Sequence, residues 1–152
     1  MIFVTVGTHE QSFIRLVQCV DILREKGVIK EEVFIQTGYT DDYKPRFCES
    51  KQFLEYNEMQ EFFEKARIVI THGGPGSIMT PFKLGKVPVV VPRNPKKAEH
   101  VDEHQILFTR KLEELKKVIP VYDIELLQDV IENYDIYESK CNINSENTLS
   151  TF

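Results

Sequence analysis

Short, continuous apolar runs alternate with segments of helical periodicity along this chain, and this alternation constrains its fold more than any other feature. The clearest runs are Ile2–Val6, Val33–Gln36 and Ile68–Thr71. A strand that is almost entirely apolar is buried on both faces, which is typical of parallel sheets covered by crossover helices. The sequence therefore predicts an α/β fold, a Rossmann-like parallel sheet with helices on both faces, over residues 1–138.

The segments between these runs supply the helices. Apolar residues at spacings of three and four follow Ser12, which we expect to cap the first helix, and Gly27 is expected to close it. Further strands are predicted at Gln52–Tyr56, Val87–Val91 and Ile119–Tyr122. Further helices are predicted at Ser77–Leu84, His104–Lys117 and Asp123–Asn133, with another carrying Met59, Phe62, Phe63 and Ala66. Residues 139–152 are polar and aperiodic, and we expect a flexible tail there.

Length and composition exclude several classes of function. A chain of 152 residues, 41% of them apolar, suits one domain with a substantial core. The formal charge of −5 argues against nucleic acid as the main partner, because binding to a phosphate backbone needs a basic face. Cys19, Cys48 and Cys141 fit no metal-binding spacing and are read as reduced thiols. The sequence has no signal peptide and no apolar run near the ~20 residues of a membrane span, so we expect a cytoplasmic protein.

The most informative segment for function is a glycine-rich turn between a predicted strand and a predicted helix. It reads Thr71-His72-Gly73-Gly74-Pro75-Gly76-Ser77. Glycines let the backbone approach a ligand closely, and the first turn of a helix offers unpaired N–H groups and a partial positive charge. The turn can also be a tight connection without a ligand. His72 and Ser77 add side-chain donors, which favours a phosphate site, although the spacing matches neither the P-loop nor the dinucleotide fingerprint.

A second polar segment follows the predicted strand Val87–Val91. It opens with Pro92 and Arg93 and ends in an acidic and amide-containing helix start that includes Glu103 and Gln105. Acidic residues at a helix start are often caps, but carboxylate and amide groups also suit the hydroxyls of a sugar. The pattern His100-x-x-Glu103-His104 matches inverted zinc proteases literally, so a zinc hydrolase is an alternative. That alternative needs a third ligand and both histidines on one helix.

The first predicted strand ends in Gly7-Thr8-His9. In parallel sheets, ligands bind at the carboxyl ends of the strands. We therefore expect these residues to border the same cleft as the glycine-rich turn. A solvated loop histidine is the simpler alternative for His9.

Taken together, these motifs resemble a known family. They occur in the order Gly7-Thr8-His9, Thr71 to Ile78, Leu84-Gly85-Lys86, Val90 to Arg93 and Glu99 to Gln105. The combination resembles the C-terminal donor domain of glycosyltransferases related to MurG (glycosyltransferase family 28), in particular PssE-like subunits of capsular and exopolysaccharide synthesis. It is also similar to the soluble subunit of the eukaryotic UDP-GlcNAc:dolichol-diphosphate-GlcNAc transferase. The resemblance covers about residues 1–122.

The resemblance implies the C-terminal half of a GT-B enzyme that binds a UDP-sugar without metal or further cofactor. It implies a membrane-associated subunit for the other half, which would recruit the chain to the inner face of the membrane, and an undecaprenyl-diphosphate-linked acceptor. The reaction would be an inverting hexosyl transfer, with galactose in β-1,4 linkage as the first choice and glucose or N-acetylglucosamine as alternatives. A non-catalytic nucleotide-sugar-binding subunit is the alternative.

The resemblance also assigns site residues. Relatives commonly carry Glu where this chain has Thr80, so the ribose contact at that position departs from the family pattern. The implied roles are donor diphosphate binding by His72, Gly73, Gly74, Gly76 and Ser77; a uracil and ribose region at Pro92, Arg93 and Thr80; sugar binding by Glu103 and Gln105; and a cleft floor of Gly7, Thr8 and His9. The acceptor hydroxyl also needs a catalytic base, for which His9 is the candidate in this chain and a group of the partner is the alternative.

Overall fold

In the computed structural model, which describes residues 1–142, the strands form one parallel six-stranded sheet of order β3-β2-β1-β4-β5-β6. The strands are β1 (Ile2–Thr5), β2 (Val33–Gln36), β3 (Glu49–Lys51), β4 (Ile68–Thr71), β5 (Val89–Val90) and β6 (Ile119–Pro120). The predicted Rossmann-like parallel sheet is confirmed.

Helices cover both faces of this sheet. They are α1 (Ile14–Glu25), α2 (Tyr56–Lys65), α3 (Pro75–Lys83), α4 (His104–Glu114), α5 (Leu127–Glu132) and α6 (Tyr134–Ser139). In β1, Ile2 and Val4 belong to the main core, while Phe3 joins a cluster with Phe63 on the opposite face. This two-sided burial explains why the central strands are apolar without alternation.

The strand order places a crevice at the centre of the sheet. From β1 the chain moves outward to β2 and β3, then returns to β4 on the other side of β1. Thr5, the last residue of β1, pairs with Gln36 on one side and Thr71 on the other. The polar strand ends therefore meet at the point where the strand order reverses, which is where open α/β sheets bind ligands.

The structure corrects the predicted third strand. It lies at Glu49–Lys51 instead of Gln52–Tyr56, and Tyr56 is the first residue of α2. Glu49, Ser50 and Lys51 pair with β2 through the backbone, and all three side chains are exposed. An exposed edge strand buries no side chain, so it leaves no apolar pattern in the sequence.

Two helix predictions also change. Ser12 does not cap α1, which begins at Ile14, and its hydroxyl instead donates to Asp42. The predicted helix Asp123–Asn133 is a 3-10 turn at Ile124–Leu126 followed by α5. Gly27 closes α1 as expected, with a φ of +75°.

The C-terminal region is described only as far as Asn142. α6 was not predicted, and beyond it the N–H of Asn142 donates to the Lys116 carbonyl at 2.7 Å. The remainder of the tail predicted over residues 139–152 lies outside the described residues. Within residues 1–142, no helix has the length and apolar character needed to cross a bilayer.

Candidate functional site

A cleft of about 300 Å³ opens at the carboxyl ends of β1, β2 and β4. Glycines and polar residues form its floor and one wall. The opposite wall consists of three apolar side chains, two from the segment before α2 and one from α2 itself. The lining residues are Thr5, Gly7, Thr8, Gln36, Phe53, Leu54, Met59, His72, Gly74, Pro75, Gly76 and Ser77.

His72 lines this cleft, and its ring packs between two glycines. A Cβ added to Gly7 would fall 2.5 Å from His72 Nε2, and one added to Gly74 would fall 2.2 Å from His72 Cε1. Gly7 also has a φ of +79°, a conformation that other residues rarely adopt. Both glycines are therefore required by the position of the imidazole ring.

Gln36 holds the Gly7 backbone in place. Its side-chain oxygen accepts hydrogen bonds from the Thr5 hydroxyl at 2.6 Å and the Gly7 N–H at 3.2 Å. Its amide nitrogen donates to the carbonyls of Gly7 and Gln52. A polar residue at the end of an otherwise apolar strand was the only signal in the sequence for this role.

Gln105 ties His72 to two loops. Its side-chain oxygen accepts from the N–H groups of Gly73, at 3.0 Å, and Arg93, at 3.1 Å. Its amide nitrogen lies 3.1 Å from His72 Nδ1, which also accepts from the Gly74 N–H at 3.1 Å. Gln105 is thus buried against the back of the glycine-rich turn, and its sugar-binding role stays a prediction.

His72 is neutral at physiological pH. Burial, together with the nearby positive charge of Arg93, lowers its pKa to about 3. Because Nδ1 accepts hydrogen bonds, the hydrogen-bond network assigns the ring proton to Nε2, which lies 3.2 Å from Ser77 Oγ. The cleft therefore contains an uncharged imidazole N–H donor.

The glycine-rich turn leaves two amides for a ligand. The N–H groups of Gly73 and Gly74 donate within the protein, and Pro75 has none. Gly76 and Ser77 lie in the first turn of α3, where a helix supplies no intrahelical acceptor. A Cβ at Gly76 would meet nothing within 4 Å, so no packing within residues 1–142 requires glycine there.

Arg93 lies under the cleft rather than in it. Its side chain is fully buried and donates to the carbonyls of Val6, Gln11 and Glu99 at 2.6 to 3.0 Å. Among residues 1–142, the Arg93 Nε has no hydrogen-bond partner, and burial lowers the pKa of Arg93 to about 10. Any contact with a nucleotide would have to come from the backbone, and the uracil prediction remains a prediction.

The other two residues of the predicted nucleotide region, Pro92 and Thr80, make hydrogen bonds within the protein. Pro92 is buried, and its carbonyl accepts from Arg15 at 3.1 Å. The Thr80 hydroxyl donates to the Gly76 carbonyl at 3.1 Å, one turn along α3. The predicted contacts of both residues with the nucleotide stay predictions.

His9 turns away from the cleft that Gly7 and Thr8 line. Its ring stacks on His100 with the centroids 4.2 Å apart, and its Nε2 lies 2.8 Å from the Gln11 side-chain oxygen. The stack joins the loop after β1 to the loop before α4. The catalytic role of His9 stays a prediction, and any approach to a substrate would need this stack to open.

The residues of the zinc-protease pattern are not held together on one helix. His100 precedes α4, whereas His104 is its first residue and is largely exposed. Glu103 is exposed at the N-terminal boundary of α4. Among residues 1–142, no group of three or more His, Cys, Asp or Glu side chains is arranged to hold a metal ion.

The sheet order, the cleft at its reversal point and the covering helices define a Rossmann-like domain equivalent to the C-terminal half of a GT-B glycosyltransferase. Residues 1–150 match the family described as the glycosyltransferase family 28 C-terminal domain, and the chain belongs to that family. No curated protein matches the chain.

Solved glycosyltransferases share this fold at low sequence identity. The Streptomyces sp. SF2575 glycosyltransferase SsfS6, complexed with thymidine diphosphate, is 18% identical with a TM-score of 0.63 over 99% of this chain and 37% of its own. The calicheamicin glycosyltransferase CalG4 is 13% identical, with a TM-score of 0.64 over 97% and 38%. MurG of Acinetobacter baumannii is 15% identical, with a TM-score of 0.57 over 98% and 48%. The chain thus spans less than half the length of these enzymes.

Proposed function

We propose that this chain is the donor-binding, catalytic subunit of a bipartite inverting glycosyltransferase. The reaction transfers a hexose from a UDP-sugar to an undecaprenyl-diphosphate-linked saccharide in capsular or exopolysaccharide synthesis. Galactose, in β-1,4 linkage, is the proposed sugar. Family membership supports the transferase class, and the resemblance to PssE-like subunits supports the finer assignment.

One observation carries the proposal: three neutral donors stand together at the start of α3. They are the N–H groups of Gly76 and Ser77 and the Nε2–H of His72, which lies 3.2 Å from Ser77 Oγ. The open space beside Gly76 lets an anion approach the backbone closely. Donors that are fixed before the reaction stabilise the negative charge that develops on a departing diphosphate.

The remaining roles follow the sequence assignment. Glu103, exposed at the start of α4, is proposed to accept hydrogen bonds from the sugar. A sugar contact by Gln105 would require the side chain to give up its hydrogen bonds to Gly73, Arg93 and His72. The acceptor hydroxyl needs a base, which we assign to His9 or to a group of the partner. The loop after β5 is proposed to contact the uracil through its backbone, because the Arg93 side chain is buried.

The partner proposal rests on the resemblance to PssE-like subunits, whose other half is a separate membrane-associated protein. The solved enzymes are more than twice as long as this chain, and binding sites of two-domain enzymes lie preferentially between the domains. We propose that a membrane-associated subunit supplies the missing half and brings this chain to the inner face of the membrane. The apolar side chains of Phe53, Leu54 and Met59 form one wall of the cleft, and we propose that the second half covers this wall.

A thermal-shift series tests donor binding directly. UDP, UDP-galactose, UDP-glucose and UDP-N-acetylglucosamine are compared with and without the partner, since a ligand that binds only the folded state raises the melting temperature. We expect UDP-galactose to give the largest shift and His72→Asn to remove it. Absence of a shift with every uridine nucleotide would contradict the proposal.

Turnover separates the catalytic subunit from a non-catalytic nucleotide-sugar-binding subunit. The chain is combined with membranes that contain the partner, and transfer from UDP-[14C]galactose to lipid is measured. Loss of transfer in His72→Asn with unchanged assembly supports a catalytic role for this cleft. Full transfer by that variant would contradict the diphosphate-binding role of His72.

A further inference from the structure

Gln105 occupies a position that fixes the orientation of its side-chain amide. Its oxygen accepts from two backbone N–H groups, those of Gly73 at 3.0 Å and Arg93 at 3.1 Å. These N–H groups belong to loops that follow β4 and β5. An amide oxygen with two N–H donors cannot exchange places with the amide nitrogen, because the nitrogen would then face donors.

The orientation of Gln105 dictates what faces His72. The amide nitrogen of Gln105 lies 3.1 Å from His72 Nδ1 and can only donate. The Gly74 N–H donates to the same atom at 3.1 Å. With two donors directed at it, Nδ1 must be unprotonated, and in the neutral ring the proton is then on Nε2.

We propose that Gln105 is a positioning residue that sets the tautomer of His72 and thereby directs the Nε2–H of His72 at a phosphate oxygen of the donor. The tautomer assignment stands on the protein contacts alone. Its consequence for phosphate binding rests on the proposed function.

Packing holds Gln105 in this position. A Cβ on Gly73 would lie 2.7 Å from Gln105 Cβ, so the glycine-rich turn is packed directly against the first turn of α4. The Thr109 hydroxyl donates to the Gln105 carbonyl at 2.7 Å. Gln105 is itself buried, so its side chain has little room to change rotamer.

The arrangement provides a hydrogen-bond donor to phosphate that does not require His72 to be protonated to the imidazolium. Burial, together with the charge of Arg93, lowers the pKa of His72 to about 3, so the ring stays neutral in ordinary buffers. The other titratable groups that act on it are His100 and His9. With the proton held on Nε2 by Gln105, donation to a phosphate requires no imidazolium.

The test replaces Gln105 by a side chain of the same shape that reverses the hydrogen bond. In Gln105→Glu, one carboxylate oxygen still accepts from Gly73 and Arg93, while the other accepts from His72 Nδ1. We expect the His72 ring nitrogens, observed by long-range 1H–15N spectra of the full chain without ligand, to report the neutral Nε2–H form in the native protein. The variant is expected to show Nδ1–H or imidazolium at pH 7.

Matched variants make the result specific. His72→Asn assigns the His72 signals, and Thr109→Val removes a hydrogen bond to the same residue without touching the amide, so it should leave the tautomer unchanged. If Gln105→Glu does not fold, a hydrogen-bond coupling between Gln105 Nε2 and His72 Nδ1 in the native protein tests the same contact. Nδ1–H in the native protein, absence of that coupling, or an unchanged Nε2–H in the variant would overturn the inference.

Calorimetry with UDP tests the consequence separately. We expect the Kd of the native chain to show no titration of His72 between pH 5.5 and 8, and the variant to show a change of about tenfold across that range. A pH-independent variant Kd would overturn the proposed effect on phosphate binding. If neither protein binds UDP, the proposed function fails while the tautomer result still stands.

Discussion

Two regions of this molecule gather backbone N–H groups around one point, and they differ in what fills that point. At the first, the Asp21 carboxylate on α1 accepts from the N–H groups of Arg46, Phe47 and Cys48 at 2.9 to 3.1 Å and from the Tyr43 hydroxyl at 2.7 Å. The chain supplies its own anion, and the result is a loop fixed to a helix.

At the second region, the start of α3, none of the described residues that line the cleft supplies an anion. The N–H groups of Gly76 and Ser77 lie beside the His72 imidazole at the edge of a cleft of about 300 Å³. Converging N–H groups stabilise the fold where a side-chain carboxylate accepts from them, as Asp21 does. Where glycine leaves the space beside them open, as Gly76 does, they can bind an external anion. Each of the following changes tests one side of this contrast.

The largest effect is expected from His72→Asn. Asparagine keeps an oxygen near the Nδ1 position, so the Gly74 N–H retains an acceptor, but it has no donor that reaches the Nε2 position. We expect turnover to fall by roughly 10²–10³-fold, about 2.7–4 kcal/mol, as for loss of one fixed donor to a developing negative charge. Transfer assays with partner membranes measure this effect, and His104→Asn, on an exposed residue, is the control.

Asp21→Asn should act on stability alone. The amide places a donor against converging N–H groups, and we expect a loss of about 3 kcal/mol in the free energy of unfolding at pH 7. Although burial opposes it, the N–H donors, led by that of Arg46, lower the pKa of Asp21 from 3.8. Its contribution is therefore present above pH 4 and is lost as the pH falls through the lower, folded-state value.

Urea titrations at pH 7 and at low pH measure this effect. Asp41→Asn on the exposed surface is the matched control and should change stability little. UDP affinity should be unaltered in folded Asp21→Asn. A loss of UDP affinity as large as that of His72→Asn would break the distinction between the two regions.

His72 should also make stability depend on pH, but for the opposite reason to Asp21. The folded protein favours the charged form of Asp21 and the neutral form of His72. His72 has a folded pKa of about 3 against an ordinary value of 6.5, because burial disfavours the charged ring. Its neutral form contributes fully above pH 6.5, and the contribution is lost as the pH falls from there toward 3. The native protein should lose up to ~1.4 kcal/mol per pH unit more than His72→Asn in this window, measured by urea unfolding between pH 7 and 4.

The smallest and most diagnostic change is Gly76→Ala. Alanine favours a helix over glycine by roughly 0.5–1 kcal/mol, and the added methyl meets no neighbour within 4 Å, so the protein should become slightly more stable. The same methyl occupies the approach to the N–H groups, so UDP affinity should fall about tenfold. Thermal unfolding with and without UDP measures both, and equal affinity would show that the phosphate lies elsewhere.

Much of this site follows from local sequence rules. The central strands Val33–Gln36 and Ile68–Thr71 are found with the predicted bounds, because burial on both faces leaves a continuous apolar run. The glycine-rich turn was recognisable because its residue types have few other uses at a strand-to-helix junction. The prediction for edge strand β3 was wrong, because its exposed side chains form no apolar run in the sequence.

The roles of individual side chains were harder to predict. Arg93 and Gln105 were expected in contact with the ligand, whereas their described contacts lie beneath the glycine-rich turn. Both positions depend on loops that are distant in sequence and meet only in the folded sheet. The sequence gives no sign of which polar side chain of a loop will satisfy a buried backbone N–H.

The sequence alone determines the order and type of the central elements and the position of a glycine-rich turn at the start of a helix. It can do so because hydrophobic burial and helix geometry depend on only a few consecutive residues. Only the tertiary structure decided that Gly7, Gly74 and Gln105 enclose one imidazole ring and that Asp21 fills the other amide cluster. The contact of Gly74 with His72 is local, but the others join residues about 25 to 65 positions apart, and the strand order of the sheet brings them together.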